Sequence, residues 1–201
     1  MRQRHIKQAT IEHLETMGVL TSPRILDLPK DQPIHVEIGS GKGQFITSLA
    51  HDFKDCFFIA IEMDKNVCFR IAEKKSAMQL DNLWILLTPA ETLLEWFLPQ
   101  TVDQIYLNFS DPWPKARHHK RRLTWPTMLE KYKVVLKKDG ILQFRTDHLS
   151  FFEDSLTYLE HHFDLTEVNM ALDESPYMTE YEVKKRLMGQ IYQVKGLKQH
   201  D

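Results

Sequence analysis

Short apolar runs alternate with stretches of helical spacing along the whole chain, and this alternation constrains the fold more than any other feature. Ile34 to Ile38 is an apolar run after Pro33, closed by a glycine loop. Phe45, Ile46, Leu49 and Ala50 then carry helical spacing over Gly43 to His51. Phe57 to Ile61 reads as a buried strand, Asn66 to Leu80 as a helix and Leu83 to Leu87 as a strand. A short helix over Leu93 to Phe97 and a strand over Gln104 to Phe109 follow. The spacing predicts a helix over Thr124 to Leu136, ended by Lys137-Lys138-Asp139-Gly140, where lysines and a glycine suit a helix C-terminus. Ile141 to Arg145 is a strand, Leu149 to His162 a helix, and Leu165 to Val168 and Gln190 to Lys195 are final strands. Continuous apolar strands separated by helices predict an α/β fold, with a mostly parallel sheet covered on both faces. Ligands of such sheets bind beyond the C-terminal ends of the strands.

Composition narrows the class. With 42% hydrophobic and 27% charged residues in a chain of 201, a mainly disordered protein is excluded. That length fits a single domain, with a short basic N-terminal arm over about residues 1–20 that includes Arg2 and Arg4. No apolar stretch is long enough to span a bilayer, and no signal-peptide stretch follows the basic start. Cys56 and Cys68 lack metal-ligand spacing. The expectation is a reduced, cytoplasmic protein with no metal and no membrane partner.

The net charge is −2, yet Lys115 to Arg122 (KARHHKRR) holds five formal positive charges. Removing that block leaves −7 for the remainder. A mildly acidic chain with one concentrated basic run binds anions at one place. Arg117, Lys120, Arg121 and Arg122 are the candidates for contact with a nucleic-acid backbone. A solvated surface run is the plainer alternative. His118 and His119 are adjacent, so their side chains diverge and do not make a metal site.

Two carboxylates frame the glycine loop Glu37-Ile38-Gly39-Ser40-Gly41-Lys42-Gly43. Its spacing is G-x-G-x-G, not the G-x-G-x-x-G of dinucleotide sites, and Glu37 lies two positions before Gly39. A carboxylate there suits a ligand carrying an ammonium and a sulfonium, such as S-adenosyl-L-methionine, better than one carrying two phosphates. Glu62 ends the next strand, nineteen residues after Gly43, where a carboxylate holds ribose hydroxyls. Taken alone, a glycine loop is an ordinary strand-to-helix turn.

The Gln104 to Phe109 strand leads into Ser110-Asp111-Pro112-Trp113-Pro114-Lys115. Two prolines stiffen this loop and fix Asp111 and Trp113 at the ligand edge. An acid beside an indole can bond a guanine edge and stack its face. A rigid turn with a packed tryptophan is the alternative. Asp147 occupies the same kind of strand-end position. Thr179 and Glu182 have capping-box spacing, so Thr179 to Glu182 marks a helix start and leaves backbone N–H groups free for a ligand.

These segments together resemble the bacterial tRNA (guanine-N7)-methyltransferase family, the single-chain type acting on guanosine 46 of the tRNA variable loop. The carrying motifs are EIGSGKGQF from Glu37, IEMD from Ile61, NFSDPWPKARHHKRRLT from Asn108, RTDH from Arg145 and TEYEVKK from Thr179. The resemblance implies a class I S-adenosylmethionine-dependent (Rossmann-like) fold with a mixed seven-stranded sheet whose last strand is antiparallel. It implies S-adenosyl-L-methionine as cofactor, S-adenosyl-L-homocysteine as product and tRNA as partner, with no metal and no obligate protein partner, in a monomer or homodimer. Glu37, Gly39, Gly41, Glu62, Pro89 and Asp111 fall at its cofactor positions, and Asp111 is its catalytic position. Lys115, Asp147, Thr179, Glu180, Tyr181 and Glu182 fall at its substrate positions. Pro89 stands where the family usually has Asn, which passes adenine recognition to the Ala90 backbone or Glu91. After Lys7 the N-terminal arm also departs from the family. An exocyclic-amine methyltransferase and an RNA-binding module with an inactive cofactor pocket are the rival readings; intact Glu37, Gly39, Gly41 and Glu62 weigh against the second.

Overall fold

The computed structural model describes residues 5–199, so Arg2 and Arg4 lie outside the described residues. The chain divides into two units, Met1–Phe97 and Leu98–Asp201. The first contains α1 (Ile11–Thr16), β1 (Val19–Leu20), β2 (Ile34–Ile38), α2 (Gln44–Asp52), β3 (Phe57–Glu62), α3 (Lys65–Met78), β4 (Leu83–Leu87) and a 3-10 turn (Ala90–Glu95). Its strands lie in the order β1-β4-β3-β2, and every pair is parallel. The reason is legible in β3: Phe57, Phe58, Ile59, Ala60 and Ile61 are all buried, an apolar run with no solvent face. Phe45, Ile46, Leu49 and Ala50 of α2 and Cys68, Phe69, Ile71 and Ala72 of α3 supply further core.

The chain before β2 is built into this unit. Thr10 caps α1 by accepting from the His13 N–H, Leu14 is fully buried, and the Ile6 N–H donates to Asn66 Oδ1 at 2.8 Å. Residues 6–20 therefore pack through the buried apolar side chains of Ile6, Ala9, Leu14 and Val19.

The second unit contains β5 (Val102–Asn108), a 3-10 turn (Ala116–Arg121), α4 (Pro126–Val135), β6 (Leu136–Thr146), α5 (Leu149–Leu159), β7 (Phe163–Asn169), α6 (Glu180–Lys185) and β8 (Tyr192–Lys198). Its strand order is β5-β6-β8-β7, with β5 parallel to β6 and β8 antiparallel to both neighbours. The mixed pairing and the antiparallel last strand match the expectation from resemblance. The strands number eight among the described residues instead of seven, the addition being two-residue β1.

One boundary differs from the sequence reading. Lys137-Lys138-Asp139-Gly140 does not end α4; it lies within β6. Leu136 pairs with Val102, Lys137 Nζ meets Asp103 Oδ2 at 2.8 Å, and the register shifts before Gln104. The four residues bulge between the paired Leu136 and Ile141, and Asp139 takes the left-handed conformation at φ 62°. Among the described residues no helix is long and apolar enough to cross a membrane.

Gly196 of β8 lies where a Cβ would stand 2.7 Å from Cβ of buried Phe163. We expect Gly196→Ala to lower stability by about 1–3 kcal/mol through overpacking. Urea unfolding checks this, and an unchanged midpoint refutes the contact.

Candidate cofactor and substrate sites

In the first unit, parallel pairing brings the C-terminal ends of β2, β3 and β4 to one edge. The glycine loop turns there: Gly39, Gly41 and Gly43 have φ of 75°, 54° and 78°. These values admit glycine and penalise a side chain. The N–H groups of Gly39 and Ser40 donate to Ile61 O at 2.9 and 3.1 Å, tying the loop to the end of β3. A Cβ at Gly43 would lie 2.9 Å from Ile71 Cγ2, so α3 requires glycine there. A Cβ at Gly41 would meet nothing within 4 Å. The loop is closed beneath by packing and open above Gly41.

The two carboxylates that frame the glycine loop in sequence differ in exposure. Glu37, in β2, is fully buried. Glu62, at the end of β3, accepts from Gly41 N–H through Oε2 at 3.1 Å and from Met63 and Asp64 N–H through Oε1 at 2.8 and 3.0 Å. Of about four lone-pair directions on a carboxylate, three are thereby engaged. The remaining direction is on Oε2, the oxygen bonded to the glycine loop. Burial raises the Glu62 carboxyl above its ordinary value, and the three N–H bonds oppose that rise without cancelling it. Pro89 is exposed and precedes the 3-10 turn in extended conformation. Thr88 beneath it donates its N–H to Glu62 O at 3.0 Å and accepts from Trp96 Nε1 at 3.2 Å.

The second unit carries the remaining candidates. Asp111 is exposed on the loop after β5. Phe109 and Trp113, on either side of it, hold positive φ of 54° and 42°, strained for non-glycine residues. The strain is held in place: Phe109 N–H donates to Arg145 O at 2.8 Å, and Arg122 Nε donates to Pro112 O at 2.7 Å. The Arg121 guanidinium stands 5.0 Å over the Trp113 ring, and the His118 ring meets the same indole edge-on at 5.9 Å. The basic run forms a 3-10 turn in which Lys115, Arg117, Lys120 and Arg121 are exposed.

Arg122 differs from the rest of the run in its burial. Its side chain is 3% exposed, bonded to Pro112 O, paired with Asp154 Oδ2 at 2.7 Å and laid over Phe151 at 4.9 Å. Enclosed in this way, it braces the Asp111 loop. Glu182 is enclosed in the same way. It is fully buried, and its oxygens accept from Arg145 Nη1 at 2.8 Å and from Arg186 Nε and Nη2 at 3.1 and 2.7 Å. The expected cap is present: Thr179 Oγ1 accepts from Glu182 N–H at 3.0 Å. Tyr181 is exposed beside it, with its ring 5.3 Å from Phe109, and Glu180 is half-buried. Asp147 accepts from Lys185 Nζ at 3.0 Å and Tyr181 OH at 3.4 Å.

Arg145, Lys185, Arg186 and Gln193 escaped the sequence reading. Arg186 stands four residues after Glu182, a spacing that pairs opposite charges on a helix and was available as a signal. Gln193 had none, since strand register alone brings it opposite Arg145. Among the described residues no group of three or more His, Cys, Asp or Glu side chains is disposed to hold a metal ion.

The raised Glu62 value has a signed consequence. An acid that holds its proton more tightly folded than unfolded favours folding below its unfolded value of 4.5, and that contribution is lost as pH rises through the folded value. Wild type should therefore lose stability relative to Glu62→Gln as pH climbs above 4.5. Thermal unfolding of both across pH tests this; parallel curves refute it.

A model described as a putative methyltransferase matches residues 31–194. A Macrococcus caseolyticus protein named tRNA (guanine-N(7)-)-methyltransferase is 48% identical over 158 residues, covering 76% of this chain and 75% of that one. A Bacillus subtilis protein of the same name is 44% identical over 165 residues, covering 80% and 78%. Among solved structures, an antibiotic-related methyltransferase superposes with a TM-score of 0.63 at 19% identity, over 98% of this chain and 99% of that one. The 16S rRNA methyltransferase KamB gives 0.64 at 15% identity, over 95% and 94%. The structural likeness establishes the class I methyltransferase fold, and by the sequence matches this chain belongs to the tRNA (guanine-N(7)-)-methyltransferase family.

Proposed function

We propose that the protein transfers a methyl group from S-adenosyl-L-methionine to N7 of guanosine 46 in the variable loop of tRNA, and that residues 1–201 act as one methyltransferase domain. The observation that carries the reading is Asp111: an exposed carboxylate on a braced, strained loop that runs directly into an exposed cationic turn. Membership of the family supports the reaction, and the match over 31–194 spans both units.

The first unit fits the cofactor. The space above Gly41, the bound orientation of Glu62 and the buried carboxyl group of Glu37 suit a ribose and an ammonium group. When bound, S-adenosyl-L-methionine supplies a methyl carbon made electrophilic by its sulfonium. Glu62 would accept from a ribose hydroxyl, and Glu37 would attract the ammonium end. Exposed Pro89 would offer the adenine no donor, since it has no N–H, and its carbonyl already accepts from the Thr92 N–H and hydroxyl.

Guanine N7 has a lone pair and no proton, so no general base has to expose the nucleophile. The residues' task is to hold the base in line with the methyl group, and proximity supplies most of the acceleration. Positive charge develops on the purine as the bond forms. The Asp111 carboxylate stabilises that charge electrostatically. Lys115, Asp147, Thr179, Glu180 and Tyr181 would contact the nucleoside, while Arg117, Lys120 and Arg121 meet tRNA phosphates.

Incubation with labelled cofactor and unmodified tRNA tests the reading. 7-Methylguanosine in the digested product is expected, and label on an exocyclic amine or on no nucleoside overturns it. Asp111→Asn should lower kcat by about 10²-fold with cofactor affinity retained, measured by single-turnover transfer and calorimetry. Lys120→Ala with Arg117→Ala should flatten the slope of log affinity against log salt by about one to two units. Arg122→Ala should instead lose about 1–3 kcal/mol of stability, because the part-buried Pro112 carbonyl and the Asp154 carboxylate lose their donor. Titrations at several salt concentrations and urea unfolding separate the two roles.

A further inference from the structure

Arg145 is a junction inside the second unit. Its carbonyl accepts from the N–H of Phe109, the left-handed residue from which the Asp111 loop departs. Its side chain, 5% exposed, reaches the opposite way. Nη1 donates to Glu182 Oε2 at 2.8 Å and Tyr177 O at 3.3 Å, while Nε and Nη2 grip Gln193 Oε1 at 3.1 and 2.7 Å. Glu182 belongs to α6, the helix that carries Tyr181 and is capped by Thr179. Arg186 occupies the second Glu182 oxygen and ties it to Leu172 O and Asp173 O at 2.7 and 2.9 Å. Two residues beyond Arg145, Asp147 holds Tyr181 and Lys185 of the same helix.

Resting on the reading above, we propose that Arg145 is a positioning residue for methyl transfer: it fixes the Asp111 loop and the substrate-facing start of α6 in one geometry without touching the base. The argument is one of rigidity. Phe109 and Trp113 occupy strained conformations that persist only where surroundings over-determine them. The planar guanidinium binds a carboxylate and an amide at once, in a fixed fork that a lysine cannot reproduce. The buried Glu182 charge is neutralised only by residues in the same network, so the network holds as a unit. Displacing the base by about 1 Å is enough to lower transfer about 10²-fold.

Arg145→Lys keeps the charge and removes the fork. We expect kcat on tRNA to fall about 10²-fold, with calorimetric affinity for S-adenosyl-L-methionine and the salt slope of tRNA binding unchanged. Combined with Glu182→Gln, the loss in kcat should be far smaller than the product of the single losses, because both variants break one link. Lys137→Gln, which breaks an ion pair at the far end of the same strand, serves as the control and should keep full kcat. Arg145→Lys at wild-type kcat overturns the proposal, as does a kcat loss that multiplies with that of Glu182→Gln. Should the lysine variant unfold, Gln193→Leu, which removes the acceptor of Nε and Nη2 and leaves Glu167 paired with Lys195, should lower kcat about tenfold with cofactor affinity unchanged, and wild-type kcat in that variant overturns the proposal. Wild-type protein that forms no 7-methylguanosine overturns the functional reading instead.

Discussion

Parallel pairing among buried strands is the constraint on which everything else in the molecule rests. A parallel strand buried on both faces cannot turn back directly, so each must return through a helix and enter the sheet from the same end. In the first unit this delivers Ile38, Glu62 and Leu87 to one edge. In the second it delivers Asn108 and Thr146, so the Asp111 loop and Asp147 leave the sheet from adjacent strands. Site residues distant in sequence are thus made neighbours by topology before any specific contact forms.

That layer was legible in the sequence, because it depends on period and loop chemistry. Apolar runs at Ile34–Ile38 and Leu83–Leu87 appear as strands at the expected residues, and the glycines after β2 take the left-handed conformations the loop requires. What the sequence concealed depends on burial of polar residues. Lys137 to Gly140 carries helix-terminus chemistry, yet it lies within β6 as a bulge, with Leu136 and Ile141 paired to β5 on either side and Lys137 held by Asp103. Arg122 sits at the end of a cationic run and has the composition of its neighbours. Only the packing of α5 against it, through Phe151 and Asp154, distinguishes it. Glu182 matched a substrate position by motif, while its surroundings make it the anchor of α6.

The candidate site therefore divides by solvent exposure. Asp111, Tyr181 and Lys115 lie outside, on segments whose own conformations are strained or short. Arg122, Arg145 and Glu182 lie inside and hold those segments. A buried charge is expensive to desolvate and is retained where its partners satisfy it completely. Arg145 meets that condition with Glu182 and Gln193, and Glu182 meets it with two arginines. Such networks contribute little net stability against an apolar equivalent, so their value lies in selecting one geometry.

Geometry is also what this chemistry demands. Attack by guanine N7 needs no proton removed, so there is no base whose acidity must be tuned, and the Glu62 carboxyl owes its raised value to burial. An enzyme relieved of proton transfer gains rate chiefly by holding two reactants in line. The investment in bracing follows: two prolines, a buried arginine on the Pro112 carbonyl and a second arginine behind Phe109 all act on one loop of a few residues. Three arginines of the second unit show how one residue type serves opposite ends. Arg121 lies exposed over Trp113, where its charge reaches solvent and polyanions. Arg122 and Arg145 spend the same guanidinium on carbonyls, carboxylates and an amide within the fold. The difference is set by whether a neighbouring element covers the side chain, and under the proposed function it separates the residues offered to the RNA from those that hold the loop.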